Sequence, residues 1–238
     1  MPDFNFTPFL QYAKENNIAL PENAVESLTL YGNLLLEWNE KINLTAIKDP
    51  TEIVVKHFID SLSLLKVINP VSGESLIDVG TGAGFPGMVI KILRPEVNVT
   101  LLDGHAKRFI FLEDLQNRLG IKAENLHIRA ELASKDAKYR ERFDYATARA
   151  VAQLNTLAEY CMPFVKKGGR FVSMKGPTAE QEVTHGKKAI EILGGEKLTL
   201  IKENLPMDNT RFFITAKKVK NTPEKYPRAS AKISKSPL

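Results

Sequence analysis

A glycine-rich turn between an apolar run and a helical pattern holds the residues of this chain best suited to chemistry. Residues 75–87 read Ser-Leu-Ile-Asp-Val-Gly-Thr-Gly-Ala-Gly-Phe-Pro-Gly, and Asp103 ends the next apolar run. Glycine lets the backbone approach a ligand without a clash from Cβ, and a carboxylate at the end of the next strand accepts hydrogen bonds from ribose hydroxyls. The spacing therefore predicts a nucleoside cofactor above the carboxyl ends of parallel strands.

Two nucleoside cofactors fit this turn. Residues 82–87 match the dinucleotide pattern Gly-x-Gly-x-x-Gly, which is typical of nicotinamide cofactors. Asp78, however, lies two residues before Gly80, and its negative charge would face a pyrophosphate in a partly desolvated site. A carboxylate at that position suits the sulfonium and amino groups of S-adenosylmethionine. We therefore favour S-adenosylmethionine over a nicotinamide cofactor, and we favour a turn without any ligand least.

The composition excludes several other classes of protein. The 238-residue chain has one cysteine, Cys161, so it has no internal disulfide. No apolar run approaches the roughly 20 residues that a membrane-spanning helix needs, and the first residues form no signal-like segment. We expect a cytoplasmic protein without membrane contact. No metal site is predicted, because His57 has no second histidine near it in sequence.

Residues 75–216 alternate between β-prone apolar runs and helical patterns. The predicted strands are 75–79, 97–102, 125–128, 143–148, 169–174, 196–202 and 210–216. The alternation predicts a parallel sheet with helices on both faces. The last connection, residues 202–210, is too short for a helical crossover, so the final strand is expected to be antiparallel. This α/β arrangement resembles the Rossmann-like class I methyltransferase fold, with seven strands and the last one antiparallel.

Helical periodicity in the first part of the chain predicts helices over 6–16, 21–38 and 51–67. Trp38 is expected to pack in the core rather than to stack on a base. The predicted organisation is an N-terminal helical portion (1–70), an S-adenosylmethionine-binding methyltransferase domain (71–218) and a basic extended C-terminal tail (219–238).

The positive charge of the chain is concentrated in that tail. Residues 217–238 contain seven basic residues and one acidic residue, a net charge of +6, while the whole chain carries +5, so residues 1–216 carry about −1. Three prolines and Tyr226 favour an extended segment that contacts phosphates and stacks on bases. A merely solvated tail explains the charge equally well.

The predicted fourth strand limits the choice of methyl acceptor. Residues 143–152 contain neither the Asn-Pro-Pro-aromatic tetrad of amino-methylating enzymes nor a Pro-Cys pair for attack at a pyrimidine C6. Guanine N7 is already a nucleophile, so alignment and electrostatic complementarity suffice for its methylation. A hydroxyl acceptor on a small molecule would usually require a base or a metal. We therefore predict no catalytic general base.

Eight short segments, in order over about four-fifths of the chain, resemble the bacterial small-subunit ribosomal RNA guanine-N7 methyltransferases, the RsmG or glucose-inhibited division protein B family. They are residues 43–47, 56–61, 76–87, 102–103 with 107–108, 129–131, 148–152, 175–176 and 225–228. The resemblance implies transfer of a methyl group from S-adenosylmethionine to N7 of one guanine near the ribosomal decoding region. It also implies donor contacts by Gly80, Phe85, Ala130, Glu131 and Arg149. Gly104 departs from the family, which commonly has serine there.

Pattern and resemblance together give three groups of candidate residues. Those expected to bind S-adenosylmethionine are Asp78, Gly80, Thr81, Gly82, Gly84, Phe85, Asp103, Ala130, Glu131 and Arg149. Those expected to contact RNA are Lys175, Arg211, Lys225, Tyr226, Arg228, Lys232 and Lys235. Those expected to position the acceptor are Arg149, His57, Asp60 and Asn43.

The expected partner is 16S ribosomal RNA or the small ribosomal subunit, and the expected oligomeric state is a monomer. Three alternatives stay open at this point. They are a small-molecule methyltransferase, a nicotinamide-dependent oxidoreductase, and a non-enzymatic RNA-binding assembly factor that keeps a donor pocket.

Overall fold

A seven-stranded sheet lies at the centre of the computed structural model, which describes residues 2–238. The strand order is β3-β2-β1-β4-β5-β7-β6. The strands are β1 Ser75–Val79, β2 Asn98–Asp103, β3 Glu124–His127, β4 Phe143–Arg149, β5 Val165–Lys175, β6 Gly195–Leu205 and β7 Asn209–Lys218. All seven predicted strands are present. β1 and β2 are buried and read as near-continuous apolar runs, whereas the edge strands β3 and β6 are largely exposed or half-buried.

The last strand is antiparallel, as predicted. β7 pairs with β6 through a tight turn and inserts between β6 and β5, where Lys175 lies opposite Phe212. The pairs β1–β2, β1–β4, β2–β3 and β4–β5 are all parallel. The carboxyl ends of β1, β2, β3 and β4 therefore meet at one edge of the sheet, where open α/β sheets bind ligands.

Helices cover both faces of the sheet. In the second part of the chain they are α5 Gly87–Leu93, α6 Ala106–Leu119, α7 Ala130–Ala133, α8 Leu154–Cys161 and α9 Ala179–Ile192. The helix after β3, α7, has only four residues. Cys161 is buried at the end of α8, and burial raises the pKa of its thiol, so it is an inert core residue. No helix within residues 2–238 has both the length and the apolar character to cross a bilayer.

The N-terminal helices share a hydrophobic core with the sheet. α1 (Thr7–Glu15) and α2 (Ala24–Asn39) contribute Phe9 and Leu35 to one buried cluster that also contains Leu76 of β1. Trp38 joins the two parts directly, since its Nε1–H donates to Asp114 Oδ2 over 2.8 Å and its ring meets Phe111 edge-on. The predicted division near residue 70 is thus not matched by a break in the core.

The third predicted helix is present but irregular. Its segments are α3 Pro50–Ile53, a π-helical turn Val54–Ile59, α4 Asp60–Leu62 and a 3₁₀ turn Ser63–Lys66. The Asp49 side chain caps the start by accepting the Glu52 N–H over 2.9 Å. π turns within helices occur frequently at functional sites, and this one contains His57 and is followed directly by Asp60.

The C-terminal segment is not extended, which corrects the sequence-based expectation. It ends in a short helix, α10 (Ser230–Lys235), and it packs against the domain through buried Thr222, Tyr226 and Ile233. The fully buried carboxylate of Glu159 in α8 accepts from the Arg228 backbone N–H and from its guanidinium, with Nη2 to Oε2 at 2.6 Å. Such a charge-assisted, bidentate pair fixes the segment in one place.

Candidate active site

A cavity of about 590 Å³ lies at the carboxyl ends of β1, β2 and β4 and beside the start of α7. It is lined by residues from the loops that follow these strands and from the N-terminal helical portion. They are Leu44, Thr45, His57, Val79, Gly80, Thr81, Gly82, Ala83, Phe85, Leu102, Asp103, Gly104, His105, Arg108, Arg129, Ala130, Glu131, Arg149, Ala150, Val151 and Tyr160. The N-terminal helices are therefore part of the site.

The loop after β1 forms a close-packed wall of the cavity. Gly80 has φ +74°, and a Cβ there would lie 2.7 Å from Cγ2 of Val151. Gly84 has φ +94°, and a Cβ there would lie 2.5 Å from the Tyr31 hydroxyl oxygen. Both positions therefore require glycine for conformation and for space. Gly84, predicted to bind S-adenosylmethionine, packs against Tyr31 of α2 and is not among the residues that line the cavity.

Asp103 lies in the cavity at the end of β2, where a ribose was predicted. Its Oδ2 accepts from the Gly82 N–H at 3.0 Å and from Arg108 Nη1 at 2.6 Å, and its Oδ1 accepts from the His105 N–H at 2.9 Å. A carboxylate has about four acceptor positions, so one remains open. Of these three donors only Arg108 uses its side chain, and that side chain is 35% exposed.

The start of α7 forms the far end of the cavity. Ala130 is the first residue of this helix, and the buried Glu131 accepts from Arg129 Nε at 2.6 Å. Arg129 also donates to Ser230 of α10, and the Tyr160 hydroxyl lies 3.2 Å from the same serine oxygen. The C-terminal helix therefore contacts the rim of the cavity at this end.

Arg149 lies at the opposite end, where β4 finishes. Its Nη1 donates to Asp60 Oδ2 at 2.7 Å, and its guanidinium lies 5.0 Å from the centre of the Phe85 ring. Asp60 is fully buried, and its other oxygen accepts from Arg211 of β7. Two guanidinium groups around one carboxylate leave a net positive charge at this end, which suits an anionic group such as the carboxylate of S-adenosylmethionine.

His57 stacks on Phe85 with ring centres 4.4 Å apart, and Tyr31 stacks on Phe85 at 5.1 Å. Burial, and next the charge of Arg149, lower the pKa of His57 to about 3, and the Lys56 carbonyl opposes this shift only in part. His57 is therefore neutral at physiological pH. Arg149 Nη2 lies 3.2 Å from Nδ1 of His57, and a guanidinium can only donate, so Nδ1 is the acceptor and Nε2 carries the proton.

Asp78, predicted to bind S-adenosylmethionine, lies beneath the loop and is not among the residues that line the cavity. Its Oδ2 accepts from the Thr81 hydroxyl at 2.6 Å and from the Gly87 N–H at 2.8 Å, while its buried Oδ1 has no partner within residues 2–238. Burial raises the pKa of Asp78 to about 6. This carboxylate holds the loop in shape and leaves uncompensated negative charge below it, a position that suits a cationic ligand above.

Most of the residues predicted to bind S-adenosylmethionine thus line the cavity. Of the residues predicted to position the methyl acceptor, Arg149 and His57 line it. Gly80, Thr81, Gly82, Phe85, Asp103, Ala130, Glu131, Arg149 and His57 all line it. Asp60 does not line the cavity, but it accepts a hydrogen bond from Arg149, which does. Asn43 is exposed and lies outside the cavity. Its neighbours Leu44 and Thr45 do line the cavity, so the segment that contains Asn43 is part of the site although Asn43 itself does not line it.

Four predicted RNA contacts are engaged within the fold instead. Lys175 is buried, pairs with Glu182 at 2.7 Å and donates to the Ala152 carbonyl. The side chains of the other three residues are paired or buried within the domain: Arg211 with Asp60, Arg228 with Glu159, and Tyr226 in the core. Lys225, Lys232 and Lys235 are exposed, as an RNA contact requires.

The sequence reasoning missed several residues of the cavity. The sequence indicates Arg108 and Arg129 only as parts of motifs and does not indicate Tyr160 as a site residue, yet all three line the cavity. Tyr31 does not line the cavity but stacks on Phe85, which does, and this contact between residues far apart in the chain has no local sequence signal. Arg108 had a usable signal, since it lies five residues after Asp103 at the start of a helix.

The profile of the family described as rRNA small subunit methyltransferase G matches residues 24–209. A protein of that name from Desulforamulus reducens is 46% identical over 230 residues, covering 96% of each chain. One from Acetivibrio thermocellus is 49% identical over 223 residues, covering 93% of this chain and 91% of its own. The chain belongs to this family.

Membership of the small subunit methyltransferase G family confirms a methyltransferase that uses S-adenosylmethionine, as the loop after β1 predicted. The nicotinamide-dependent alternative is therefore not supported. The residues of the cavity fit the donor: a glycine-lined wall, a carboxylate at the end of β2, and a net positive charge at the end of β4.

Solved structures show the same fold at low identity. A Thermotoga maritima protein described as an S-adenosylmethionine-dependent O-methyltransferase has a TM-score of 0.53 at 18% identity, covering 79% of this chain and 72% of its own. A Geobacter metallireducens precorrin-6y C5,15-methyltransferase has a TM-score of 0.51 at 12% identity, covering 74% and 91%. These likenesses confirm the predicted α/β fold.

Proposed function

We propose that this protein transfers a methyl group from S-adenosylmethionine to N7 of one guanine in 16S ribosomal RNA. S-adenosylmethionine supplies an electrophilic methyl group on a sulfonium. The cavity is proposed to hold the donor with its adenine against Ala130 and Glu131, its ribose at Asp103 and its methionine portion between Gly80 and Arg149. This order follows the strand order β3-β2-β1-β4 at the sheet edge.

One observation carries the choice of N7. His57 and Asp60 are acid–base residues that contact Arg149 at the end of the cavity near β4, and neither is available to remove a proton. Nδ1 of His57 accepts from Arg149, and both oxygens of Asp60 are held by arginines. An acceptor that must lose a proton would need a free base, whereas guanine N7 attacks through an existing lone pair. The residues align the reactants and match their charges.

The RNA substrate is proposed to contact the exposed lysines Lys225, Lys232 and Lys235 of the C-terminal segment. α10, which carries Lys232 and Lys235, contacts the cavity rim through Ser230, and this supports an RNA contact close to the cavity. The family description, rRNA small subunit methyltransferase G, supports small-subunit ribosomal RNA as the substrate. A monomer that acts in the cytoplasm, where ribosomal subunits are assembled, completes the proposal.

The test is to map N7-methylguanine in 16S RNA by borohydride reduction and aniline cleavage, in cells with and without this gene. We expect one cleavage site that disappears on deletion and returns with the wild-type gene. A Gly80→Val variant, whose side chain would fill the donor wall, should not restore it. An identical cleavage pattern with and without the gene would refute the proposal. Purified naked 16S RNA and isolated small subunits, tested in parallel, identify the form of the substrate.

A further inference from the structure

Thr45 lines the cavity, and its hydroxyl contacts His57, which is bonded to Arg149 at the end of β4. The hydrogen bonds of this hydroxyl restrict what it can recognise. Nε2 of His57 lies 2.8 Å from Thr45 Oγ1, and the Ile47 N–H donates to the same oxygen over 3.1 Å. His57 carries its proton on Nε2, because Nδ1 accepts from Arg149. Both neighbours are therefore donors to Thr45.

A hydroxyl has two acceptor lone pairs and one proton to donate. In Thr45 the two lone pairs are filled by His57 and Ile47. Within residues 2–238 no group accepts the proton of this hydroxyl. The Thr45 hydroxyl is thus restricted to the role of donor toward whatever occupies the cavity beside it.

The position of this hydroxyl is fixed by the surrounding fold. Asn39 of α2 holds the segment by accepting the backbone N–H groups of Leu44 and Thr45 at 2.8 and 3.0 Å and by donating to the Thr45 carbonyl at 3.0 Å. His57, in turn, is stacked on Phe85 and bonded to Arg149. Thr45 therefore belongs to the end of the cavity where the methionine portion of the donor, and with it the methyl group, is expected.

We propose that Thr45 selects guanine over adenine by donating a hydrogen bond to O6 of the base whose N7 is methylated. The inference rests on the proposed function and names the residue that reads the acceptor. Along the edge that carries N7, guanine presents the acceptor O6, whereas adenine presents the donor N6–H₂. A hydroxyl with free lone pairs would accept either base, but one that can only donate pairs with O6 and leaves N6–H₂ without a partner.

The experiment compares kcat/KM on small subunits reconstituted with 16S RNA that carries guanine or adenine at the mapped position. Removing one hydrogen bond of about 1.4 kcal/mol changes a rate ratio by about tenfold. We expect Thr45→Val to lower the guanine-to-adenine ratio by about that factor, while Thr45→Ser, which keeps the hydroxyl, stays within about twofold of wild type. Structural changes in the altered RNA cancel in the comparison of ratios.

Two further readouts separate a reading role from a structural one. The Kd of S-adenosylmethionine, measured by calorimetry, should be the same in Thr45→Val and wild type. A loss of activity that is equal on guanine and adenine, or a weakened donor Kd with an unchanged ratio, overturns the assignment. If Thr45→Val does not fold, Thr45→Cys has a similar size and a weak donor, and the same ratio test applies. Failure of the wild-type protein to methylate the guanine subunits would refute the proposed function instead.

Discussion

At the scale of single residues, the glycines of the loop after β1 have unequal roles. Gly82 has φ +61° and open space where a Cβ would lie, whereas Gly84 has φ +94° and a Cβ there would lie 2.5 Å from the Tyr31 hydroxyl. Left-handed backbone costs an ordinary residue about 1–2 kcal/mol, and that cost applies to both positions. Only Gly84 adds a steric clash.

We therefore expect Gly84→Ala to lower the free energy of unfolding by roughly 1–3 kcal/mol more than Gly82→Ala, from overpacking against Tyr31. Urea denaturation of the two variants checks this difference. Gly82→Ala is the matched control, since the substitution and the backbone region are the same. Equal losses in the two variants would show that the contact with α2 does not constrain the loop.

Asp78 should make stability depend on pH in an unusual direction. Burial raises its pKa to about 6 in the folded protein, above the ordinary value of 3.8. The folded state thus holds the proton more tightly, so the contribution of Asp78 is greatest at low pH and is lost as pH rises from about 4 through 6. The unpartnered Oδ1 explains why the charged form is disfavoured.

Asn at this position does not titrate, so Asp78→Asn should gain stability relative to wild type as pH rises from 4 to 7. The gain approaches roughly 3 kcal/mol, at about 1.4 kcal/mol per pKa unit. Thermal or urea unfolding at several pH values measures it, with the exposed Asp208→Asn as control. A difference between Asp78→Asn and wild type that does not change with pH would contradict this account.

At the scale of elements, Asp60 joins three parts of the fold. It follows the π turn, and its two oxygens hold Arg149 at the end of β4 and Arg211 in β7. Removing one partner of a buried ionic group leaves the others uncompensated, which costs about 3–5 kcal/mol. Asp60 therefore links the N-terminal portion to β4 and β7, in addition to the hydrophobic core that this portion shares with β1.

Asp60→Asn should lower the free energy of unfolding by about 3 kcal/mol, because the amide removes the negative charge between two guanidinium groups. The same change at exposed Asp208 should have an effect of less than about 0.5 kcal/mol. Chemical denaturation of both variants provides the comparison. A loss in Asp60→Asn as small as that in Asp208→Asn would mean that the two arginines find other partners.

The elements differ in how far the sequence predicted them. The strands and the final hairpin follow from local apolar runs and a short connection, and both were correct. The π turn has no local signature, since Val54–Ile59 reads as an ordinary amphipathic helix. The sequence predicts RNA contacts for Lys175 and Arg211 because it shows no partner for either charge. Their ion pairs, with Glu182 and Asp60, form only when the chain folds.

At the scale of the whole molecule, the C-terminal segment connects the proposed RNA face with the donor cavity. The Arg228–Glu159 pair and the buried Tyr226 hold residues up to 229, and α10 beyond them carries the exposed Lys232 and Lys235. Because Ile233 of α10 is itself buried against the domain, the two exposed lysines are best tested by substitution rather than by removal of the helix.

The double variant Lys232→Ala, Lys235→Ala should preserve the fold and weaken RNA binding, because both side chains are exposed. Loss of two phosphate contacts makes the slope of log affinity against log salt less steep by about 1.4, at about 0.7 per contact for single-stranded RNA. Filter binding of the double variant and wild type at several salt concentrations measures the slope. The exposed pair Lys187→Ala, Lys188→Ala on α9 is the control. An unchanged slope would show that α10 does not contact phosphates.

The chain has a single tryptophan, and Trp38 bonds to Asp114 of α6 from α2. Its fluorescence therefore reports on one contact only, the one between the N-terminal helices and the sheet domain. If those helices detached before the sheet melted, the emission change would precede the loss of far-UV circular dichroism during a urea titration. Coincident curves are expected instead, because both parts share one hydrophobic core.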